Sequence, residues 1–179
     1  MLDKYKNLST KSPKEAADIV GEVEKRNYLA HTIRDIELAI LRTQGKHYHI
    51  ITCTRANSRK SDIYVSDYSC EIWLTCEYEE INERDIRLIL AHELGHLVRN
   101  IDKLKNPELL KDTVRSDEEE IYAWTFAYHL IDRKSVEHQN DTQRKKFVYR
   151  SGELMQSIES LLERQKPAIR DAVIKSLRP

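Results

Sequence analysis

The sequence predicts an α+β domain: N-terminal helices, a small antiparallel sheet of about three strands, a motif-bearing helix, then C-terminal helices. Three observations predict it. Apolar residues recur at helical spacing within residues 1–45 and again beyond residue 83. Between them, residues 48–76 hold three short runs rich in β-branched and aromatic side chains. No internal repeat or low-complexity linker divides the 179 residues, and one hydrophobic core serves a chain of that size. The expected organisation is a single domain over 1–179, with a helical part at 1–45, a core at 46–132 and a helical extension at 133–179.

The elements follow in order. Ser12-Pro13-Lys14-Glu15 has the form of a capping box with proline at the first helical position, and Ala16, Ala17, Val20 and Val23 give the helix its apolar stripe. A second helix is expected over His31–Arg42, with Ile33, Ile36, Ala39, Ile40 and Leu41 inward and Gly45 as its stop. The strand-like runs are Tyr48–Thr54, Asp62–Ser66 and Cys70–Cys76, divided by Ala56-Asn57-Ser58 and Asp67-Tyr68-Ser69. The motif helix spans about Glu83–Arg99, with Asn82 as N-cap, Asp85 near the first-turn amides, and Ile86, Ile89, Leu90, Leu94 and Leu97 as its buried stripe. After an irregular stretch through Asn106-Pro107, a helix is expected over Asp117–Asp132. Two more follow, near Thr142–Gln165 and Ala168–Ser176.

Composition narrows the function classes. Lys+Arg and Asp+Glu balance at 30 each, so no net field favours nucleic acid or an anionic membrane. The clusters Arg55–Lys60 and Arg144-Lys145-Lys146 read as solvated surface. No apolar run approaches the roughly 20 residues of a membrane span. The start Met1-Leu2-Asp3-Lys4-Tyr5-Lys6 lacks a signal peptide's apolar core, which predicts a cytoplasmic protein. Cys53, Cys70 and Cys76 sit at no metal-like spacing and read as free thiols in a reducing compartment.

The chemistry concentrates in His92-Glu93-Leu94-Gly95-His96. Two histidines four apart share one helix face about 6 Å apart along the axis, a span that one tetrahedral zinc ion bridges. Glu93 follows the first histidine and is placed to act as general base on a water beside the metal. Gly95 lowers helix propensity by up to about 1 kcal/mol relative to alanine, so its presence implies a close neighbour there.

A catalytic zinc takes three protein ligands and keeps one open position. Asp102 lies six residues past His96, but that route requires a glycine turn where this chain has Arg99. The run Ser116-Asp117-Glu118-Glu119-Glu120 fits better. Ser116 and Glu119 form a second capping box, which leaves Glu120 in line with Ala123, Trp124, Ala127 and Ile131. Glu120 is the preferred third ligand, with Glu119 and Asp117 as alternatives. Tyr122, Tyr128, His129, His138 and Tyr149 are equal candidates for a donor that stabilises a developing oxyanion. His129 lies on the helix face opposite Glu120, a structural position. His47 and His49 share one side of a strand and read as solvated or hydrogen-bonded histidines.

Arg87-Leu88-Ile89-Leu90-Ala91-His92-Glu93-Leu94-Gly95-His96-Leu97, followed by Glu120-x-x-Ala123-x-x-Phe126-Ala127, resembles the ImmA/IrrE metallopeptidases over about Cys70–Ile131. The chain departs from that family's usual pattern at Tyr122-Ala123-Trp124 and at His129-Leu130-Ile131-Asp132. The resemblance implies a reduced thermolysin-like core, a Zn2+ cofactor on His92, His96 and Glu120, and Glu93 as catalytic base. It also implies a protein substrate such as a helix-turn-helix repressor, with no direct nucleic-acid or membrane partner. The strand Glu71–Cys76 is a candidate edge for pairing with an extended peptide. Two rival classes remain: a zinc-containing, non-catalytic binding protein such as an anti-repressor, and a DNA-binding regulator. Glu93 argues against the first, since a structural zinc needs no base. The second lacks a recognition-helix pattern in residues 1–45.

Overall fold

In the computed structural model, the residues described are 5–21, 29–56, 62–66, 68–76, 83–105, 115–138, 149 and 152–178. The elements are α1 (Pro13–Gly21), α2 (Ala30–Gln44), β1 (His49–Ala56), β2 (Asp62–Val65), β3 (Ser69–Cys76), α3 (Glu83–Arg99), α4 (Asp117–His138), α5 (Glu153–Leu162) and α6 (Pro167–Leu177). Short 3-10 turns cover Leu8–Thr10 and Ile101–Lys105. The proposed Asn82 cap, Val23, Asn57-Ser58, Asn106-Pro107, the basic triplet at Arg144 and residues 142–148 lie outside the described residues. Tyr149 and the left-handed Gly152 are not helical, so the helix expected over Thr142–Gln165 is confined to Glu153–Leu162 among the described residues. No described helix is long and apolar enough to cross a membrane.

Local chemistry sets the helix ends. Glu15 Oε2 accepts from the Ser12 amide at 3.1 Å, and Ser12 Oγ accepts from the Glu15 amide at 3.3 Å, which closes the capping box of α1. Helix α2 stops at Gly45, whose φ of 68° is left-handed and whose amide bonds Leu41 O. Helix α4 runs six residues beyond the expected Asp132 end.

The sheet corrects the antiparallel expectation. Its order is β1-β3-β2, with β1 parallel to β3 and β2 antiparallel to β3. The third strand lies between the first two, so the strands that follow each other in sequence, β1 and β2, are not neighbours. Tyr48, just ahead of β1, donates its hydroxyl to Ser69 O at 2.9 Å. With His49 N donating to Tyr68 O, it joins the start of β1 to the start of β3, in keeping with their parallel pairing. Cys70–Trp73 is flanked on both sides, so that part of the expected peptide-pairing edge is already occupied.

Alternation along β3 buries Cys70, Ile72 and Leu74 against α3, which contributes Leu88, Ala91 and Leu94 to the same core. On its other side α3 packs against α4, which is also covered by α1 and α6. The motif helix is thus enclosed between sheet and helix, and residues 91–98 are all buried.

Candidate metal centre

Contact between α3 and α4 builds the site. A Cβ placed on Gly95 would lie 2.9 Å from Ala123 Cα and 3.1 Å from both Ala123 O and Phe126 Cδ1. Only glycine admits α4 this closely, the neighbour that its presence in the helix had implied. One turn before Ala123 on α4, Glu120 meets the histidine pair.

His92 Nε2 and His96 Nε2 are 3.1 Å apart. Glu120 Oε2 lies 3.5 Å from His92 Nε2, and Glu120 Oε1 lies 3.3 Å from His96 Nε2. Both histidines are 4% exposed. These three side chains could hold a metal ion, and they form the one group of three or more His, Cys, Asp or Glu residues among the described residues able to do so. A tetrahedral centre with arms of about 2.0–2.1 Å has edges of about 3.3–3.4 Å, and the separations of 3.1, 3.5 and 3.3 Å bracket that length.

The protonation states agree with ligation. Burial holds His92 well below the ordinary histidine range, helped by His96 and Arg115 and opposed by Glu120. Burial, then Arg115, pushes His96 down to about 3. Both imidazoles are therefore neutral at pH 7, the form that offers a lone pair to a cation. His92 Nδ1 is buried without a hydrogen-bond partner among the described residues. The His92 ring is instead held by packing: Trp124 lies with its centroid 4.1 Å away and tilted by 34°.

The competing carboxylates are engaged elsewhere. Glu119 Oε2 accepts from the Ser116 amide at 3.2 Å, and Ser116 Oγ accepts from the Glu119 amide, closing the second capping box. Asp117 pairs with Lys166 at 2.8 Å. Asp102 accepts from Ser9 Oγ, while Arg99 donates to Ser9 O at 2.9 Å and lies over the Tyr122 ring. His47 and His49 are exposed while Tyr48 and Ile50 between and beyond them are buried, as the solvated reading expected.

Glu93 is 2% exposed and next to the triad without belonging to it. Its Oε2 accepts from Arg115 Nη2 at 3.0 Å, and Arg115 Nη1 stands 3.8 Å from Glu120 Oε1. Arg115 was not among the residues singled out from the sequence. The available signal was its place directly before the Ser116 cap of the helix that carries Glu120. The proposed oxyanion donors have other neighbours: Tyr149 donates to Asp85 at 3.0 Å, and Tyr128 and His129 rings pack edge to face. The Tyr122 hydroxyl is buried without a hydrogen-bond partner among the described residues, in a side chain lying under Arg99. The side chain of His138 lies outside the described residues.

No protein-family model, curated protein or solved structure matches this chain.

Proposed function

We propose that this chain is a zinc-dependent peptidase of the ImmA/IrrE kind, acting in the cytoplasm on a protein substrate such as a helix-turn-helix repressor. The observation that carries the proposal is the pairing of a His92–His96–Glu120 cluster with a buried carboxylate, Glu93, that stands outside it. Two imidazoles and one carboxylate leave a tetrahedral cation one open position, the donor set of a hydrolytic rather than a structural zinc. When bound, zinc supplies Lewis acidity that brings a water's pKa towards about 7. Glu93 takes the proton of the attacking water and returns it to the amide nitrogen as the carbon–nitrogen bond breaks. His92 and His96 stay neutral and oriented through their burial, and α1, α6 and the sheet keep the two helices in contact.

The test measures metal content of wild type and Glu120→Gln alongside cleavage of a repressor panel by wild type and Glu93→Gln. One zinc per chain that falls in Glu120→Gln, and cleavage that vanishes in Glu93→Gln, supports the reading. Zinc retained with every repressor intact favours a metal-holding binding protein instead. A folded wild type that takes up no zinc refutes the metal centre.

A further inference from the structure

We propose that Arg115 is a catalytic residue whose guanidinium binds the negatively charged oxygen that develops on the scissile carbonyl. This inference rests on the peptidase reading and extends it to a group that the motifs do not contain.

Position is the first argument. Arg115 touches the general base through one terminal nitrogen and approaches the third ligand through the other, at 3.0 and 3.8 Å. A guanidinium spanning both carboxylates borders the same small volume in which a reacting carbonyl must sit. Accessibility is the second. The Arg115 side chain is 34% exposed, whereas those of Glu93 and Glu120 are 3% and 13% exposed. Arg115 therefore forms the solvent side of the cluster, where a peptide would enter.

Donor capacity is the third. Each terminal nitrogen carries two N–H groups, so two carboxylate contacts leave donors for a further oxygen. The fork geometry also suits a charged oxygen better than a lysine ammonium does. Anchoring is the fourth: Arg115 directly precedes Ser116, whose amide and hydroxyl close the capping box with Glu119 and hold the chain next to the point where the side chain begins. Attack of water places the carbonyl π pair on oxygen, and a cation already at that spot needs no reorganisation to meet it. Of the tyrosines and histidines considered for this role, Tyr149 donates to Asp85 and the Tyr128 and His129 rings pack on each other.

A purely structural Arg115, present only to neutralise two buried carboxylates, is the alternative to exclude. The experiment uses full-length protein loaded with cobalt(II), whose visible spectrum reports the metal's open position. Inorganic phosphate serves as the tetrahedral anion and imidazole as the neutral ligand, each titrated into wild type, Arg115→Lys and Arg115→Gln. Cobalt stoichiometry and thermal midpoint are recorded for each variant. The expected result is phosphate binding weakened about tenfold or more in Arg115→Gln, less in Arg115→Lys, with imidazole binding unchanged within about twofold. Phosphate binding indifferent to Arg115, or both probes weakened alike, would overturn the inference while leaving the metal centre standing. Wild type that takes up no cobalt would overturn the metal reading and this inference together. Arg115-dependent phosphate binding in a protein that cleaves nothing would support the anion site and count against peptidase activity.

Discussion

Replacing Gly95 with alanine tests whether the approach of α4 to α3 sets the metal centre. The new Cβ would lie 2.9 Å from Ala123 Cα and 3.1 Å from Ala123 O, both backbone atoms that no rotamer change can move. Ordinary contact begins near 3.4 Å, so α4 has to retreat by about 0.5 Å, with Phe126 giving way as well. Overpacking of this kind costs about 1–3 kcal/mol. Against it stands the helix propensity gained on replacing glycine, up to about 1 kcal/mol. The net expectation is destabilisation by up to about 2 kcal/mol, a fall of roughly 4–8 °C for a chain of this size. The consequence for the site is larger than that figure. Glu120 lies one turn from Ala123, and metal–ligand distances tolerate only about 0.2 Å, so a retreat of about 0.5 Å would weaken the hold of Glu120 on any cation bound there. Thermal denaturation of metal-free protein by circular dichroism reads the first effect, and competition with a chelator of known affinity reads the second. A Gly95→Ala variant that melts higher, by the propensity gain alone, and holds zinc as tightly as wild type would refute the reasoning.

Other outcomes follow from the same geometry. Glu119→Gln should lose about 0.5–1 kcal/mol of helix-cap stability and take up added zinc as wild type does, while Glu120→Gln should fold and take up less; equal losses in both by elemental analysis would show that the capping box does not separate their roles. Cys70 is fully buried and its thiol is pushed up to about 12, chiefly by burial and then by Glu93 and Glu71. Iodoacetamide at pH 8 should leave Cys70 unmodified in the folded protein and label it in urea, as peptide mass spectrometry would read. Metal-free protein should lose stability on acidification. His96, near 3 when folded, and His92, displaced the same way, bind protons more readily in the unfolded chain, whose histidines titrate near about 6.5. The contribution is whole above that unfolded pKa and declines as pH falls towards 3, by up to about 1.4 kcal/mol per pH unit per histidine. A urea midpoint flat between pH 7 and 5, or a slope unchanged in His96→Gln, would count against it.

The fold was legible where the signals were local and illegible where they were not. Both capping boxes, the Gly45 stop and the bounds of α3 follow from residues within one turn of each other, and the structure has them in place. Strand order depends instead on contacts between segments about twenty residues apart. The Tyr48 hydroxyl that reaches Ser69 O is an ordinary aromatic at the head of a strand when read from sequence. Nothing in the alternation of Cys70, Ile72 and Leu74 says which strand lies beside them, because the same buried face serves a parallel or an antiparallel neighbour.

The site divides along the same line, and the division explains why Arg115 escaped notice. His92 and His96 share a face through their four-residue helical spacing, and the same period sets Glu93 about 100° round from His92, so the relation of all three is written in their spacing. Glu120 was separable from Glu119 because the Ser116 cap claims one acidic residue and turns the next towards the opposite helix. Arg115 has no such grammar. It lies outside α4, so no helical period projects it onto the histidine face; its contact with Glu93 joins the start of α4 to α3, the two helices whose close approach Gly95 permits. The glycine and the arginine are therefore coupled. Displacing α4 by about 0.5 Å moves the Arg115 backbone together with Glu120, since both start from the same capped turn. In Gly95→Ala, phosphate binding and zinc binding should weaken together, whereas Arg115→Gln should weaken phosphate binding alone. A Gly95→Ala protein that loses zinc affinity yet keeps wild-type phosphate affinity once saturated with cobalt would show that Arg115 is positioned independently of the helix contact.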